Sequence, residues 1–263
     1  LALRPKASSF IKQLEQGFPS GADRYLTNLY EVNDGGKQLN AWVKEEAKWL
    51  LSQGKIVGIL GGDHSAPQGL FEALAEHAPG FSVLHIDAHL DMRLAYEGFT
   101  YSHASIMRNV AAINGVDRFV HLGIRDYCEE ESQKVSKSIG RHTLFTDRAI
   151  RRWLFEGRSW SYFVDRILRT LPPRNPIYIS FDIDGLNPSL CPNTGTPVPG
   201  GFSLEEIFYF LERLVESERK IIAFDLCEIA PGSKDWAGDW NANVGMRALY
   251  RLATLAAKSY GKV

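Results

Sequence analysis

The stretch from residue 82 to residue 93, SVLHIDAHLDMR, joins a short apolar run to ionisable residues at two-residue spacing. The run is typical of a buried β-strand, and Asp87, His89 and Asp91 follow it directly. Because side chains alternate along an extended chain, these three can project to one face and converge on one point. Ionisable groups beside a buried strand need a cation to offset their desolvation. The stretch therefore predicts a metal site at a strand end.

Five further apolar or β-branched runs predict the other strands of a sheet, at 55–60, 119–124, 143–145, 177–181 and 220–226. Between the strands, helical spacing of apolar residues predicts helices at 39–52, 69–77, 103–113, 160–171, 204–216 and 244–258. Strands and helices alternate from about residue 55 onward, which is typical of a parallel sheet covered by helices. The sequence thus predicts one domain over residues 1–263, with a three-layer α/β/α fold and a mostly parallel central sheet.

Polar clusters follow four of these predicted strands directly. GGDHS follows the strand at 55–60, DAHLD follows 82–86, DIDGLNPS follows 177–181, and CEIAPG follows 220–226. Ligands of open α/β sheets bind outside the carboxyl ends of the strands. The clusters therefore predict a single site at one edge of the sheet.

Six residues of these clusters form a predicted metal centre. Asp182 and Asp184 repeat the two-residue spacing, and adjacent carboxylates repel each other unless a cation neutralises them. Four carboxylates and two imidazoles balance two divalent ions, and a ligand set without thiolate favours Mn²⁺. Paired metals activate water at neutral pH, so hydrolysis is the predicted reaction class. The predicted ligands are His64, Asp87, His89, Asp91, Asp182 and Asp184.

Other ionisable residues are expected to have structural roles. We expect Asp63 to cap its own loop, and His85 to be a hydrogen-bonded buried histidine rather than a ligand. His77, His121 and His142 have no partner in the sequence pattern, so we place them outside the site.

Composition argues against several other classes of protein. The 30 basic and 31 acidic residues are scattered, which argues against a nucleic-acid partner. No run approaches the roughly 18 apolar residues of a membrane span, so no membrane partner is expected. The three cysteines form no CxxC pair, which favours a reducing cytoplasm over a disulfide framework. The chain begins with Leu1 rather than Met, and we expect that end to be incomplete.

GGDHS, DAHLD and SFDIDGLNPS together resemble the three signature motifs of the ureohydrolases, the family of arginase, agmatinase and formimidoylglutamase. The resemblance extends from about residue 55 onward and includes GTPVPGG at 195–201 and FDLCEIAP at 224–231. It implies an arginase-like fold, two manganese ions per chain held by the six predicted ligands, and a small guanidine or amidine substrate. It also implies a homo-oligomer, either a trimer or a hexamer.

The same resemblance implies catalytic roles for three residues. Glu228 corresponds to the acid that pairs with the substrate guanidinium, whose planar N–H donors match a carboxylate. His103, in TYSHAS, resembles the histidine that passes a proton to the departing amine. Its flanking residues differ from the family pattern, and a role as a pocket or helix-start residue is the alternative. Asp91 would hydrogen-bond to the hydroxide between the metals, which attacks the amidine carbon.

The sequence leaves the substrate open. The segment after Asp91, MRLAYEGFTYSH, differs from the arginase pattern and argues against arginase. Arg93 can bind a substrate carboxylate, which favours formimidoylglutamate or a guanidino acid, or it can pair with Glu97 or another acid. We place agmatine hydrolysis to putrescine and urea first, and formimidoylglutamase second.

Two proteins of other functional classes remain as alternatives to a ureohydrolase. Zinc deacetylases share this architecture, but a single zinc would leave His64, Asp91 and one further carboxylate without a purpose. A non-catalytic binding relative is the other alternative, and the intact set of predicted ligands argues against it.

Overall fold

Six parallel strands form the centre of the protein. A computed structural model describes residues 3–17, 23–232 and 238–262; Leu1, where the expectation of an incomplete end falls, lies outside them. The strand order is β1-β6-β5-β2-β3-β4, and every neighbouring pair is parallel. The strands are β1 Val57–Leu60, β2 Phe81–Ile86, β3 Val116–Ile124, β4 His142–Thr146, β5 Ile177–Asp182 and β6 Ile221–Cys227.

Helices connect the strands and cover the sheet. Short 3-10 turns lie at His103–Ser105 and Ile183–Gly185. The α-helices are α1 Arg4–Glu15, α2 Asp23–Ser52, α3 Gln68–His77, α4 Ile106–Val110, α5 Glu129–Lys137, α6 Asp147–Phe155, α7 Trp160–Thr170, α8 Leu204–Glu216 and α9 Trp240–Lys258.

The sheet has an apolar core on each face. On one face, Leu84 and Ile179 pack in a cluster with residues of α7, α8 and α9. On the other face, Val83 and Tyr178 pack with residues of α2, α3 and α4. Strands β2 and β5 are buried along their whole length, as expected for central strands of a parallel sheet. The predicted three-layer α/β/α fold is confirmed.

The structure corrects several predicted helices. Helix α2 begins 16 residues before the predicted start at 39, and α1 precedes it; Phe10 of α1 is buried and Lys6 pairs with Glu31 of α2. Helices α5 and α6 were not predicted. The polar sequence of α5 carries few apolar residues at helical spacing, whereas α6 has Ile150, Trp153 and Leu154 at that spacing and was missed despite this signal. The predicted helix 103–113 is a 3-10 turn followed by the five-residue α4.

In the described part of the chain, no helix combines the length and the apolar character that crossing a bilayer requires.

Gly69 determines how closely α3 approaches α2. A Cβ atom at this position would overlap the main-chain oxygen of Asn40 and lie 2.7 Å from the main-chain nitrogen of Lys44. We expect Gly69→Ala to lower the free energy of unfolding by about 1–3 kcal/mol, measured by urea denaturation, because the helices must separate. Gly62→Ala is the control, since its Cβ meets nothing within 4 Å. Equal stability of the two variants would contradict this account of the packing.

Candidate metal centre

The sequence-predicted residues meet at the carboxyl edge of the sheet. His64 follows β1, Asp87 follows β2, and Asp182 ends β5. These strands and β6 are consecutive in the sheet, in the order β1-β6-β5-β2. The topology therefore brings side chains that are more than 100 residues apart in sequence into contact.

A first cluster surrounds the buried ring of His64. Its Nδ1 lies 3.1 Å from Asp87 Oδ2, 3.1 Å from Asp91 Oδ2 and 3.3 Å from Asp182 Oδ2. The His64 side chain is fully buried, and the exposure of the three carboxylates is 5% or less. Three negative groups thus converge on one nitrogen atom away from water.

A second cluster lies beside the first and shares one carboxylate with it. His89 Nδ1 lies 2.9 Å from Asp184 Oδ2 and 3.5 Å from Asp87 Oδ1. Asp87 therefore presents Oδ2 to the first cluster and Oδ1 to the second. A carboxylate that faces two clusters of ligand atoms is suited to bridge two cations.

Unpartnered polar atoms show that these residues fit metal ions. Ser180 Oγ donates to Asp225, so it accepts from the Nε2–H of His64 at 2.8 Å. When the ring is neutral, Nδ1 of His64 is a lone pair that faces three carboxylates and has no hydrogen-bond partner among the described residues. Asp184 Oδ2 is also buried without a hydrogen bond in the described part of the chain. Acceptors that face one another need a cation between them.

The surrounding carboxylates change the protonation of both imidazoles. Burial lowers the pKa of His64, but hydrogen bonds to Asp182 and the neighbouring carboxylates outweigh it and raise the pKa well above its usual value. The same balance raises the pKa of His89 to about 11, with Asp184 and Asp87 as the partners. In the metal-free protein, protons therefore occupy the positions that cations would take.

Hydrogen bonds to the local backbone fix the orientation of the Asp182 and Asp184 carboxylates. Asp182 caps the 3-10 turn Ile183–Gly185 and accepts a hydrogen bond from Asp184 N at 2.8 Å. Asp184 Oδ1 in turn accepts from Ala88 N at 3.0 Å, which ties the loop after β5 to the loop after β2. A Cβ at Gly185 would lie 2.9 Å from Asp87 N, so this approach needs glycine.

Two of the predicted catalytic residues have strained backbones. Asp91 has φ 55° and Glu228 has φ 64°, in the left-handed region that glycine favours. Such conformations cost on the order of 1–3 kcal/mol each and cluster at functional sites. Glu228 Oε1 accepts a hydrogen bond of 2.9 Å from His64 N, and burial raises the pKa of this carboxyl group. Glu228 is thereby fixed beside the first cluster.

A cleft of about 130 Å³ opens onto the clusters. His89, Asp91 and His103 line it, and His103 is also the first residue of a 3-10 turn. Arg93 lines the same cleft, 3.8 Å from Glu131 Oε2 and with its guanidinium above the ring of Tyr96. The cleft is thus lined by predicted ligands and by two of the residues predicted to act on substrate. The acid beside Arg93 is Glu131 rather than Glu97.

The structure also places the residues for which no ligand role was predicted. Asp63 accepts from Ser65 N at 3.0 Å, as expected for a loop cap. His85 is buried and hydrogen-bonded to Asp87, as expected, although its position also groups it with His64, Asp87 and Asp91 as a possible ligand.

Arg125 is a supporting residue that the sequence reasoning missed. Its side chain donates to Asp184 O at 2.7 Å and Val198 O at 2.9 Å, which joins the loop after β5 to the GTPVPGG segment. Only its position just after β3 could have indicated this role. The carbonyl groups that it binds belong to a distant segment of the sequence.

A parallel α/β sheet with paired Asp and His clusters at its carboxyl edge defines the class of arginase-fold proteins. The structure is similar to the agmatine ureohydrolase of Thermoplasma volcanium, with a TM-score of 0.69 and 25% identity, covering 86% of this chain and 71% of that one. It is also similar to the arginase of Bacillus caldovelox, with a TM-score of 0.67 and 24% identity, covering 86% and 76%. The arginase family profile matches residues 25–254, so the chain belongs to the arginase family.

The curated relatives that resemble this chain include a ureohydrolase and an agmatinase. An N(1)-aminopropylagmatine ureohydrolase of Thermus thermophilus is 38% identical over 73% of this chain and 61% of its own length. The agmatinase of Bacillus anthracis is 30% identical over 72% of this chain and 60% of its own length. The chain spans about 60% of the length of the curated relatives it matches.

Metal binding at these clusters is expected to release protons. The raised pKa values keep His64 and His89 protonated at pH 7 in the metal-free protein, and a metal ligand must be the neutral imidazole. The apparent affinity for Mn²⁺ should therefore rise with pH. Calorimetric titration with Mn²⁺ in two buffers of different protonation enthalpy measures the number of protons released. Identical binding heats in both buffers would refute the assignment of these two ligands.

Proposed function

We propose that the chain is a binuclear manganese hydrolase of the agmatinase type, which cleaves a C–N bond of a linear guanidine. With agmatine, the products are putrescine and urea. The observation that carries this proposal is the Asp87 carboxylate, whose two oxygens face two separate clusters of ligand atoms. The names of the relatives, agmatinase and N(1)-aminopropylagmatine ureohydrolase, support a guanidine substrate.

We assign the ligands by cluster. His64, Asp91 and Asp182 belong to the first cluster, His89 and Asp184 to the second, and Asp87 to both. Two bound Mn²⁺ ions would offset the buried carboxylates and lower the pKa of a water molecule toward neutrality. A single-zinc deacetylase site would use only one of the two clusters, so the geometry favours the binuclear proposal.

The remaining roles are assigned to residues around the cleft. Glu228 Oε1 already accepts from His64 N, which leaves Oε2 to accept N–H groups of the substrate guanidinium. Asp91, beside His64 and in the cleft, holds the attacking water by a hydrogen bond. As the water oxygen adds to the guanidine carbon, Asp91 accepts a proton from the water. As the bond to the alkyl nitrogen breaks, His103 supplies the proton that this nitrogen takes up, and the proton held by Asp91 then restores His103 while the hydroxyl proton of the new urea passes to the amine.

Arg93 favours a second candidate substrate. Its side chain is 42% exposed, lines the cleft and lies 3.8 Å from Glu131, so it can turn to a substrate carboxylate. That arrangement suits formimidoylglutamate or a guanidino acid. The exposed Asp126 lines the same cleft and suits the cationic tail of agmatine or N(1)-aminopropylagmatine. We place the cationic substrates first because the relatives carry those names.

Three broader features belong to the same proposal. We propose a single ureohydrolase domain over residues 1–263, a cytoplasmic location and a trimeric or hexameric assembly. The three free thiols support a reducing compartment, and the six-stranded sheet supports one domain. The assembly rests on the resemblance to the family.

Loss of one carboxylate in the second cluster tests the metal centre. We expect Asp184→Asn to bind fewer than two Mn²⁺ per chain and to lose more than about 100-fold in turnover, because changes to residues that only support ligands already cost about 10–100-fold. Metal analysis of the purified protein and a urea assay measure both. Asp63→Asn removes a nearby carboxylate outside the clusters and should retain both metals. Two metals and full turnover in Asp184→Asn would overturn the centre.

A substrate series tests the specificity. We expect the Mn²⁺-loaded protein to release urea from agmatine or N(1)-aminopropylagmatine, and Arg93→Gln to retain that activity, since those substrates have no carboxylate for Arg93 to bind. Formimidoylglutamate, arginine and guanidinobutyrate are assayed in parallel, with formamide or urea as the measured product. Formamide release that disappears in Arg93→Gln would replace the agmatinase proposal with the second candidate.

A further inference from the structure

Three histidines form a hydrogen-bonded row across the sheet. His85 lies on β2, His121 on β3 and His142 on β4, and these strands are neighbours in the sheet. His85 Nδ1 lies 3.0 Å from His121 Nδ1, and His121 Nε2 lies 2.9 Å from His142 Nδ1. At the inner end, His85 Nε2 lies 2.8 Å from Asp87 Oδ2. The row therefore leads from the shared carboxylate to the outermost described strand on that side of the sheet.

The row is built into the sheet. His85 and His121 are direct partners in the β2–β3 register, which places their side chains on the same face. His142 is the register partner of Phe119 and stacks on its ring, with centroids 4.5 Å apart and an interplanar angle of 3°. His85 and His121 are fully buried, and His142 is partly buried. Packing thus holds the three rings in a fixed order.

The carboxylate at the inner end determines which nitrogen of His85 donates. A carboxylate accepts only, so His85 donates to Asp87 from Nε2. His121 lies between the other two rings, with Nδ1 toward His85 and Nε2 toward His142, so each of its ring nitrogens takes part in one hydrogen bond. The row therefore ties Oδ2 of Asp87 to strands β3 and β4.

We propose that His142, His121 and His85 are positioning residues, a hydrogen-bonded row that holds the Asp87 carboxylate in its bridging orientation. The inference rests on the proposed metal centre and adds residues to it. With Oδ2 held by His85, the carboxylate plane cannot turn, so Oδ1 stays directed at the second cluster. Hydrogen bonds of this kind to metal ligands fix their orientation and tune their strength as ligands.

The outer two rings are in a suitable charge state for this role. Burial lowers the pKa of His121 well below its usual value. Burial, with Arg141 and Lys134 nearby, lowers the pKa of His142 to about 4. Both rings are therefore neutral at pH 7, and each has the single N–H that the row requires.

Nitrogen-15 NMR of the histidine rings tests the inner bond of the row in the metal-free protein, without any assay of activity. We expect His85 to carry hydrogen on Nε2, from which it donates to Asp87. A bare Nε2 on His85 would overturn the proposal, because the ring could not then donate to the carboxylate.

Matched variants of His121 test the effect on metal binding. Asn places its amide group near the position of Nδ1 and can still form a hydrogen bond with His85, whereas Leu cannot. We expect His121→Leu to weaken Mn²⁺ binding about 10–100-fold, measured by electron paramagnetic resonance of free Mn²⁺, and His121→Asn to recover most of that loss. His77→Leu, at the exposed end of α3, is the control.

Thermal unfolding of each variant separates positioning from folding. If His121→Leu does not fold, the same comparison is made with His142→Leu and His142→Asn at the partly buried end of the row. A folded leucine variant with the affinity of the parent protein would refute the positioning role. Failure of the parent protein itself to bind Mn²⁺ would instead refute the proposed metal centre, and the NMR result would still decide whether His85 donates to Asp87.

Discussion

The carboxylate of Asp87 is the group on which the rest of the site depends. It stands at the end of a strand buried along its whole length, and its two oxygens face two different clusters. The other predicted ligand atoms are arranged around it by the loops after β1 and β2 and by the end of β5. Buried carboxylates that lie this close together repel one another. The arrangement is therefore stable only when positive charge lies between the side chains.

The scaffold around Asp87 explains how so much charge is tolerated. The parallel sheet supplies a rigid edge, and the two apolar cores hold it from both faces. Hydrogen bonds from main-chain N–H groups reach the carboxylates of Asp87, Asp182 and Asp184, which lowers the cost of keeping them ionised. Arg125 ties the loop after β5 to a distant segment through carbonyl oxygens alone, so it adds order without occupying a carboxylate.

The strands and the clusters of Asp and His residues at their ends were predictable because their signals are local. Each of the six strands is an apolar run, and the two-residue spacing of Asp87, His89 and Asp91 is visible in the sequence itself. Helix α5 was not predictable in this way, since its polar sequence is stabilised by a capping box and its position rather than by an apolar stripe. The partners of His121 and His142 were missed for a related reason: contact between neighbouring strands depends on the register, which the sequence pattern does not specify.

The left-handed conformations of Asp91 and Glu228 link the chemistry of the site to the thermodynamics of folding. A chain selected for folding alone would carry glycine at both positions, where the left-handed conformation has no steric cost. The metal-free protein therefore bears backbone strain and charge repulsion in the same few residues. Any cation that binds the folded clusters and not the unfolded chain shifts the folding equilibrium toward the native state. Under the proposed function, the residues that prepare the site would thus make a bound cation a structural part of the protein as well.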